Sequence, residues 1–331
     1  MSMDMFTTKE KGLRTTISTL TNKWFGGEER QRWIDYSFIL AFVVLVLIGG
    51  WASDVFFTRV NLSNLLRQIV ANGLISLGML IVIVTGGIDL SVGSIVPLAG
   101  IIYAGMTDQV GVGPAISIAL VVGVVVGLVN GFLVAHFKLQ PFIVTLASMG
   151  AVRGLVFVYS ESPLIPQNLA FRGIGASFLG PVSVATIIML ACYVLVWFFI
   201  NRTTTGRATI AIGGNEEAVR LAGINVKRTV ILAYILSGLF SALGGVILVS
   251  RLGIAQPSLG GGYELDAIAA CVIGGAILGG GGGGTVGTFF GVLTLGLINN
   301  LLNLFAVQTY YQQILKGVVI VVAVLARAKE R

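Results

Sequence analysis

The sequence predicts an all-α, polytopic membrane protein of about ten transmembrane helices, built as an inverted five-plus-five repeat. Three observations carry that expectation: an apolar excess that no water-soluble core can hide, apolar runs long enough to cross a bilayer, and a lopsided distribution of lysine and arginine between those runs. Of the 331 residues 56% are apolar and 11% charged, with a mean hydropathy of +0.95. A soluble domain carries about a quarter charged residues, so lipid must solvate much of this chain. The 45 glycines have no three-residue period, which excludes collagen. In membrane helices small residues let backbones approach closely.

The elements follow in order. Residues 1–35 are polar and mixed in charge, and lack the apolar core of a secretory signal. They read as a cytoplasmic tail, with residues 9–33 either a surface-lying amphipathic helix or disordered. A span needs about 20 apolar residues to cross roughly 30 Å of hydrocarbon. Ten stretches qualify as candidates: 36–57, 65–84, 88–106, 113–135, 141–159, 182–200, 230–250, 265–278, 286–305 and 311–326. The third follows a Gly-Gly-Ile-Asp turn, and the eighth dissolves into the glycines at 279–284. Together they make a transmembrane domain over 36–327. A short cytoplasmic tail, 328–331, follows.

The basic residues fix a topology. With both termini cytoplasmic, the inside holds Lys9, Lys11, Arg14, Lys23, Arg30, Arg32, Lys138, Arg202, Arg207, Arg220, Lys227, Arg228, Arg327, Lys329 and Arg331. The other six of the 21 basic residues (Arg59, Arg67, Arg153, Arg172, Arg251, Lys316) fall outside or within spans. That bias is the one insertion favours, and an even span count preserves it. The net charge of +7 is then a consequence of topology and implies no nucleic acid.

Two short pieces recur in the same order. Gly86-Gly87-Ile88-Asp89-Leu90 resembles Gly261-Gly262-Tyr263-Glu264-Leu265, and Gly127-Leu128-Val129-Asn130 resembles Gly296-Leu297-Ile298-Asn299. Five spans separate the copies, so the halves have opposite orientation. Inverted repeats of this kind place a substrate path at the repeat interface.

The longest cytoplasmic connection, 201–228, contains a predicted short helix. Asn215 is a good N-cap, while Glu216 and Glu217 complement the positive end of the dipole. Arg220 sits in the last turn and Gly223 suits the left-handed C′ position. Two turns are unstable alone in water, so such a helix is expected to pack on something, with Val219 and Leu221 as its apolar contacts.

Here a resemblance becomes specific. The Gly-x-Asn-x-x-Ala…Gly-Ile pattern around Asn215, Ala218 and Gly223 resembles the coupling loop of ATP-binding-cassette importer permeases. The stretch Gly86 to Ser94 and the stretch Gly262 to Ala270 with Gly274-Gly275 resemble ribose-type sugar permeases of the binding-protein-dependent transport family. The likeness runs over about 61–325. It implies a permease subunit that pairs with a second permease chain, homo- or heteromeric. Two ATPase subunits would dock on the cytoplasmic side, and a periplasmic or lipid-anchored binding protein would deliver a monosaccharide outside. The coupling contact would be formed by Arg207, Asn215, Glu216, Glu217, Ala218, Val219, Arg220, Leu221 and Gly223. The sequence departs from the pattern at Val219, where a second alanine is common, at the all-glycine run 279–284, and near Arg327, where an acidic residue is common.

Charges at span depth cost at least ~2.5–3.5 kcal/mol and need a reason. Asp89 could carry a proton or meet substrate; capping a half-helix with Ser91 and Ser94 is the favoured reading. Glu264 and Asp266 open the eighth span near the outer face, where dipole complementation and solvation are favoured over substrate contact. Arg153 is expected to snorkel or to pair with an acid. Asn72, Asp89, Ser91, Ser94, Gln140, Thr145, Asn299, Asn300 and Asn303 are the candidate pathway residues, although membrane amides more often join helices.

Catalysis finds no support. The glycine run matches G-x-G-x-x-G only because it is all glycine, with no βα unit and no phosphate-loop lysine. The lone His136 supports neither a triad nor a metal cluster, and Cys192 and Cys271 sit in apolar runs as packing residues. No cofactor is expected, and ATP hydrolysis is expected from a separate chain. The resulting expectation is a membrane-spanning permease of the bacterial inner membrane, importing a ribose-like monosaccharide by alternating access. The alternatives are an ion-coupled secondary transporter using Asp89, Glu264 or Asp266, and an ATP-driven permease for a non-sugar solute.

Overall fold

A computed structural model describes residues 37–328, so the tail 1–35 and residues 329–331 lie outside the described residues, with their basic side chains. Each expected span coincides with a helix. These are α1 (Ser37–Ala52), α2 (Arg59–Val84), α3 (Val92–Val110), α4 (Val112–Phe137), α5 (Pro141–Tyr159) and α6 (Val184–Arg202). Two short helices follow, α7 (Thr204–Gly214) and α8 (Glu216–Leu221), and then α9 (Val226–Leu252), α10 (Tyr263–Ile273), α11 (Thr285–Leu304) and α12 (Thr309–Ala328).

Among the described residues, six helices are long and apolar enough to cross a membrane: α2, α4, α5, α6, α9 and α11. Their burial sorts them into two layers. The apolar windows of α2 and α9 are 83% and 61% buried, against 28%, 22% and 33% for α4, α5 and α6. The outer helices turn Val121, Val125, Phe132, Val194, Leu195 and Phe198 outward. Large exposed side chains of this kind are at home against lipid and nowhere else. The chain is a multi-pass membrane protein with a dense centre and an apolar rim.

Helix α9 is the axis of one side, packing on α4, α2 and α3. Gly123, Gly127 and Gly131 form a stripe at four-residue spacing on α4, and a Cβ at Gly127 would fall 2.2 Å from Tyr234 O. Only a bare backbone permits that approach. Three packing pairs interchange when α1 to α5 are exchanged for α6 and α9 to α12. Thus α4 lies on α9 as α11 lies on α2, α3 on α4 as α10 on α11, and α3 on α5 as α10 on α12.

Of the boundaries that differ from expectation, three have plain local reasons. Helix α2 starts at Arg59 because the Thr58 hydroxyl accepts from Asn61 N at 3.3 Å and caps it. Helix α3 starts at Val92, since the residues before it form the turn that carries Asp89. Helix α10 has only 11 residues, roughly 16 Å at 1.5 Å per residue, and stops at Gly274 where a span to 278 was expected. It cannot cross a bilayer alone.

The segment 160–183, for which the sequence suggested no structure, is a cap over one end. A 3-10 turn (Leu169–Arg172), a helical turn (Gly173–Ala176) and a hairpin pairing Phe178–Leu179 with Val182–Ser183 make it up. The Phe171 carbonyl accepts from Tyr103 Oη and Ser250 Oγ, both at 2.8 Å, which ties the cap to α3 and α9.

Candidate translocation pathway and coupling surface

Both Gly-Gly-x-acid motifs break the chain, but their acids do different work. In the first, Asp89 is fully buried. One carboxylate oxygen accepts from Ser91 N at 3.0 Å and Ser91 Oγ at 2.5 Å, and the other from Ser237 Oγ on α9 at 2.8 Å. Asn130 on α4 donates to Ser91 Oγ at 2.9 Å, and Thr145 on α5 donates to Ile88 O at 3.1 Å. The turn before α3 is thus bolted to α4, α5 and α9. Ser91 stands at the N-cap without a side-chain capping bond, so the expected cap is supplied by Asp89 as an Asx-type turn. Ser94 is buried beside it with its hydroxyl unpaired.

The second break sits at the tip of α10. A Cβ at Gly260 would fall 2.3 Å from Gly93 O, and Gly260 has φ +82°, so this crossing of the two half-helix starts requires glycine. Arg153 clamps it by donating to Leu259 O at 2.6 Å and to Gly93 O at 2.9 Å. Arg153, expected to snorkel or to pair with an acid, sends its hydrogen bonds to two backbone carbonyls, of Gly93 in the first turn of α3 and of Leu259 in the loop before α10, and it also interacts electrostatically with Glu264.

Both Glu264 and Asp266 stand in the first turn of α10, as dipole complementation expects, but the expected solvation of Asp266 is corrected. Asp266 is buried, accepting from Lys316 Nζ on α12 at 2.9 Å and from Asn72 Nδ2 on α2 at 3.4 Å. Glu264 Oε2 is buried without a hydrogen-bond partner. Asn72 lies midway along α2, so Asp266 lies halfway down the bundle.

Beside that carboxylate is a cavity of about 190 Å³, walled by α2, α9, α10, α11 and α12. Asn72, Asp266, Asn299 and Lys316 line it, with Arg251 and Tyr263 from the ends of α9 and α10. The carbonyl oxygens of Asn72 and Asn299 are buried and accept nothing. The sequence reading found Asn72 and Asn299. It missed Gln68, Arg251, Tyr263, Gln312 and Lys316 as lining, because their convergence depends on how α9 and α12 fold back.

The remaining pathway candidates separate from this cavity. Asn300 is engaged in a reciprocal amide pair with Asn61, at 2.8 and 3.1 Å, which joins α11 to α2. Asn303 is exposed and accepts from Gln312 Nε2 at 2.9 Å. Gln140 lines a second, larger cleft of about 710 Å³ at the end of the bundle that carries α7 and α8. Thr85, Gly86, Lys138, Glu216, Arg220 and Tyr234 also face it.

At that end the predicted helix is present as α8. The Asn215 side chain accepts from Ala218 N at 2.9 Å. The far end closes as a Schellman motif: Gly223 N donates to Arg220 O at 3.0 Å and Ile224 N to Val219 O at 3.3 Å, with Gly223 at φ +80°. Arg220 pairs with Glu217 one turn back; their hydrogen bond holds the carboxyl below its usual range and raises the guanidinium. Of the two expected apolar contacts, Val219 is buried within this chain and Leu221 is 77% exposed. The available surface is therefore Leu221 flanked by Glu216, Glu217, Ala218 and Arg220.

Helix α7, which the sequence reading missed, backs α8. Thr203 caps it by accepting from Gly206 N at 2.9 Å. Its last turn presses on both halves of the protein: a Cβ at Gly213 would fall 2.1 Å from Val84 O and 2.3 Å from Gly281 N. Gly281 N itself donates to Val84 O at 3.0 Å. The all-glycine run thus serves as the bearing between the elbow, the end of α2 and the loop after α10. Arg207 donates to Asn201 O at 3.4 Å and stays on the exposed side of the elbow.

Comparison with known proteins decides the family. Residues 61–324 match the family described as "Branched-chain amino acid transport system / permease component". The chain belongs to this family. It is 46% identical to the Ribose import permease protein RbsC of Bacillus subtilis, over 88% of this chain and 92% of that one. It is 44% identical to the Ribose import permease protein RbsC of Escherichia coli K12 (88% and 93% covered) and 37% identical to the L-arabinose transport system permease protein AraH of the same organism (88% and 90%). No solved structure matches.

Proposed function

We propose that this chain is the membrane-spanning permease subunit of an ATP-driven importer of the bacterial inner membrane, and that it passes a monosaccharide by alternating access. The observation that carries the sugar reading is the similarity along nearly the whole chain to permeases named for ribose and L-arabinose, and to one named for galactose at 36% identity. The family's description speaks of branched-chain amino acids, which makes an amino acid the competing cargo. The cavity disfavours it: an apolar side chain gains nothing among Asn72, Asp266, Asn299 and Lys316.

In this reading ten membrane segments form two inverted sets of five, with α10 a half-helix that its flanking loops complete; α7 and α8 face the cytoplasm with both termini, and two such chains pair. A separate ATPase subunit docks on α8, with Leu221 as the apolar anchor and Asn215, Glu216, Glu217, Ala218, Arg220 and Gly223 shaping the contact. Val219 holds α8 to its own chain, and Arg207 sits on the elbow's flank. Closure of the ATPase pushes α8 and α7, and Gly213 transmits the push to Val84 and Gly281. The ends of α2 and of the α10 loop then move as rigid bodies. A binding protein delivers the sugar from the other side.

Ion coupling is the weaker reading. Asp89 accepts from three donors and Asp266 pairs with a cation, so each already has a partner. A docking experiment tests the proposal. The ATPase encoded with this permease should co-purify with the wild-type chain and be lost from Leu221→Glu, whose membrane insertion is unchanged. Full retention of the ATPase by Leu221→Glu would remove α8 from the contact.

A further inference from the structure

We infer that the cavity beside Asp266 is a binding site for a neutral polyhydroxylated solute within a single protomer, an inference that rests on the importer reading above. Its chemistry excludes the other classes of occupant. Two cations, Lys316 and Arg251, face the cavity against one carboxylate, Asp266. A cationic solute would meet a net positive lining. An ionised acid would suit that charge and could accept from Arg251 and Lys316, but it only accepts hydrogen bonds and would leave Asn72 Oδ1 and Asn299 Oδ1 without donors.

The orientation of Asn72 is fixed by chemistry. Asp266 is a pure acceptor, so the amide must turn its Nδ2 toward it, at 3.4 Å, and its oxygen away. Hydroxyl groups both donate and accept, so a polyol satisfies the two amide oxygens while taking donors from Lys316 and Arg251. The Tyr263 ring supplies the apolar wall that a sugar's C–H face prefers.

The ion pair gives the site its link to movement. Asp266 lies in the first turn of the half-helix α10, and Lys316 on α12 reaches it at 2.9 Å. α10 continues to the loop that bears on the elbow at Gly281 and Gly213. A solute that competes for Lys316 therefore loosens α10 from α12 at the moment it is bound. This makes the permease itself, and not the delivering protein alone, a selector of cargo.

The test uses the complete transporter in proteoliposomes, with D-ribose, D-galactose and D-gluconate as probes. Asn72→Leu and Asn299→Leu should each lower the maximal uptake rate of the transported neutral sugar by about three- to tenfold, the loss of one net hydrogen bond. Asn299→Gln should recover part of it. As a readout independent of turnover, Asn299→Cys in a chain with Cys192 and Cys271 replaced by Ser should be protected from a charged thiol reagent by the neutral sugar and not by gluconate. Unchanged uptake in both leucine variants, or equal thiol reactivity with and without sugar, overturns this site while leaving the importer reading intact. A wild-type complex that transports an amino acid and no sugar overturns both.

Discussion

The two Gly-Gly-x-acid breaks share a short pattern, but the aspartates beside them are held differently: Asp89 is the first motif's own acid, whereas Asp266 lies two residues past the second motif's acid, Glu264. Asp89 is enclosed by donors from its own turn and from α9, with Asn130 and Thr145 bracing the same turn. Asp266 is held by one long, flexible lysine and one long amide contact beside an open cavity. A buried carboxylate with donors on both oxygens is a rivet, because breaking any one bond strands a partner. A carboxylate held by a single movable cation beside empty space is a latch. One break is therefore fixed and the other lies beside a cavity, and their shared pattern does not say which is which.

Several substitutions would break or sharpen that contrast. The largest effect is expected where the two breaks touch: Gly260→Val drives a side chain into Gly93 O from a left-handed backbone, and folded, insertable protein should be lost by size-exclusion chromatography. Next, Asp89→Ala should destabilise the chain by about 1–3 kcal/mol for each stranded donor, read as a lower melting temperature in detergent. Asp89→Asn should retain much of the stability and of the uptake. If Asp89→Asn instead abolishes uptake in a fully stable protein, the rivet is a latch. Asp266→Asn should do the reverse, keeping the melting temperature within a few degrees while uptake falls severalfold.

A smaller step separates the latch from its drive. Gly223→Pro and Leu221→Glu should leave both breaks unperturbed yet uncouple ATP hydrolysis from uptake; normal coupling in both would show that force enters elsewhere. Least of all, Glu217→Gln should lower ATPase retention only slightly at neutral pH, since the pair with Arg220 is exposed. Because Arg220 depresses the Glu217 carboxyl, the pair's support of α8 is present above the ordinary carboxylate range. It is lost as the pH falls through the depressed value. Circular dichroism of a peptide cannot read so short a helix, so ATPase retention against pH is the measurement.

Much of the fold was legible because lipid imposes a length on every apolar run. Helix α5 begins and ends where the sequence places it, at Pro141 and Tyr159. The α8 helix was legible for another reason: Asn215 and Gly223 state its two ends in local chemistry. Helix α7 was not, because its glycines and threonines read as a loop and its stability comes from packing under α6 and against Val84. The cavity was half legible. Asn72 and Asn299 announce themselves as amides at span depth, whereas Arg251 and Lys316 looked like boundary charges until α10 proved too short to keep them apart. Asn300 shows the opposite failure, an amide adjacent to a cavity residue whose partner is Asn61.

The most direct test is reconstitution of the purified chain into liposomes, with and without the ATPase and the binding protein. The account predicts that the assembled complex accumulates D-ribose or a related monosaccharide against its gradient only when ATP is supplied, and that the chain alone accumulates nothing under any imposed ion gradient. Accumulation by the chain alone would contradict it.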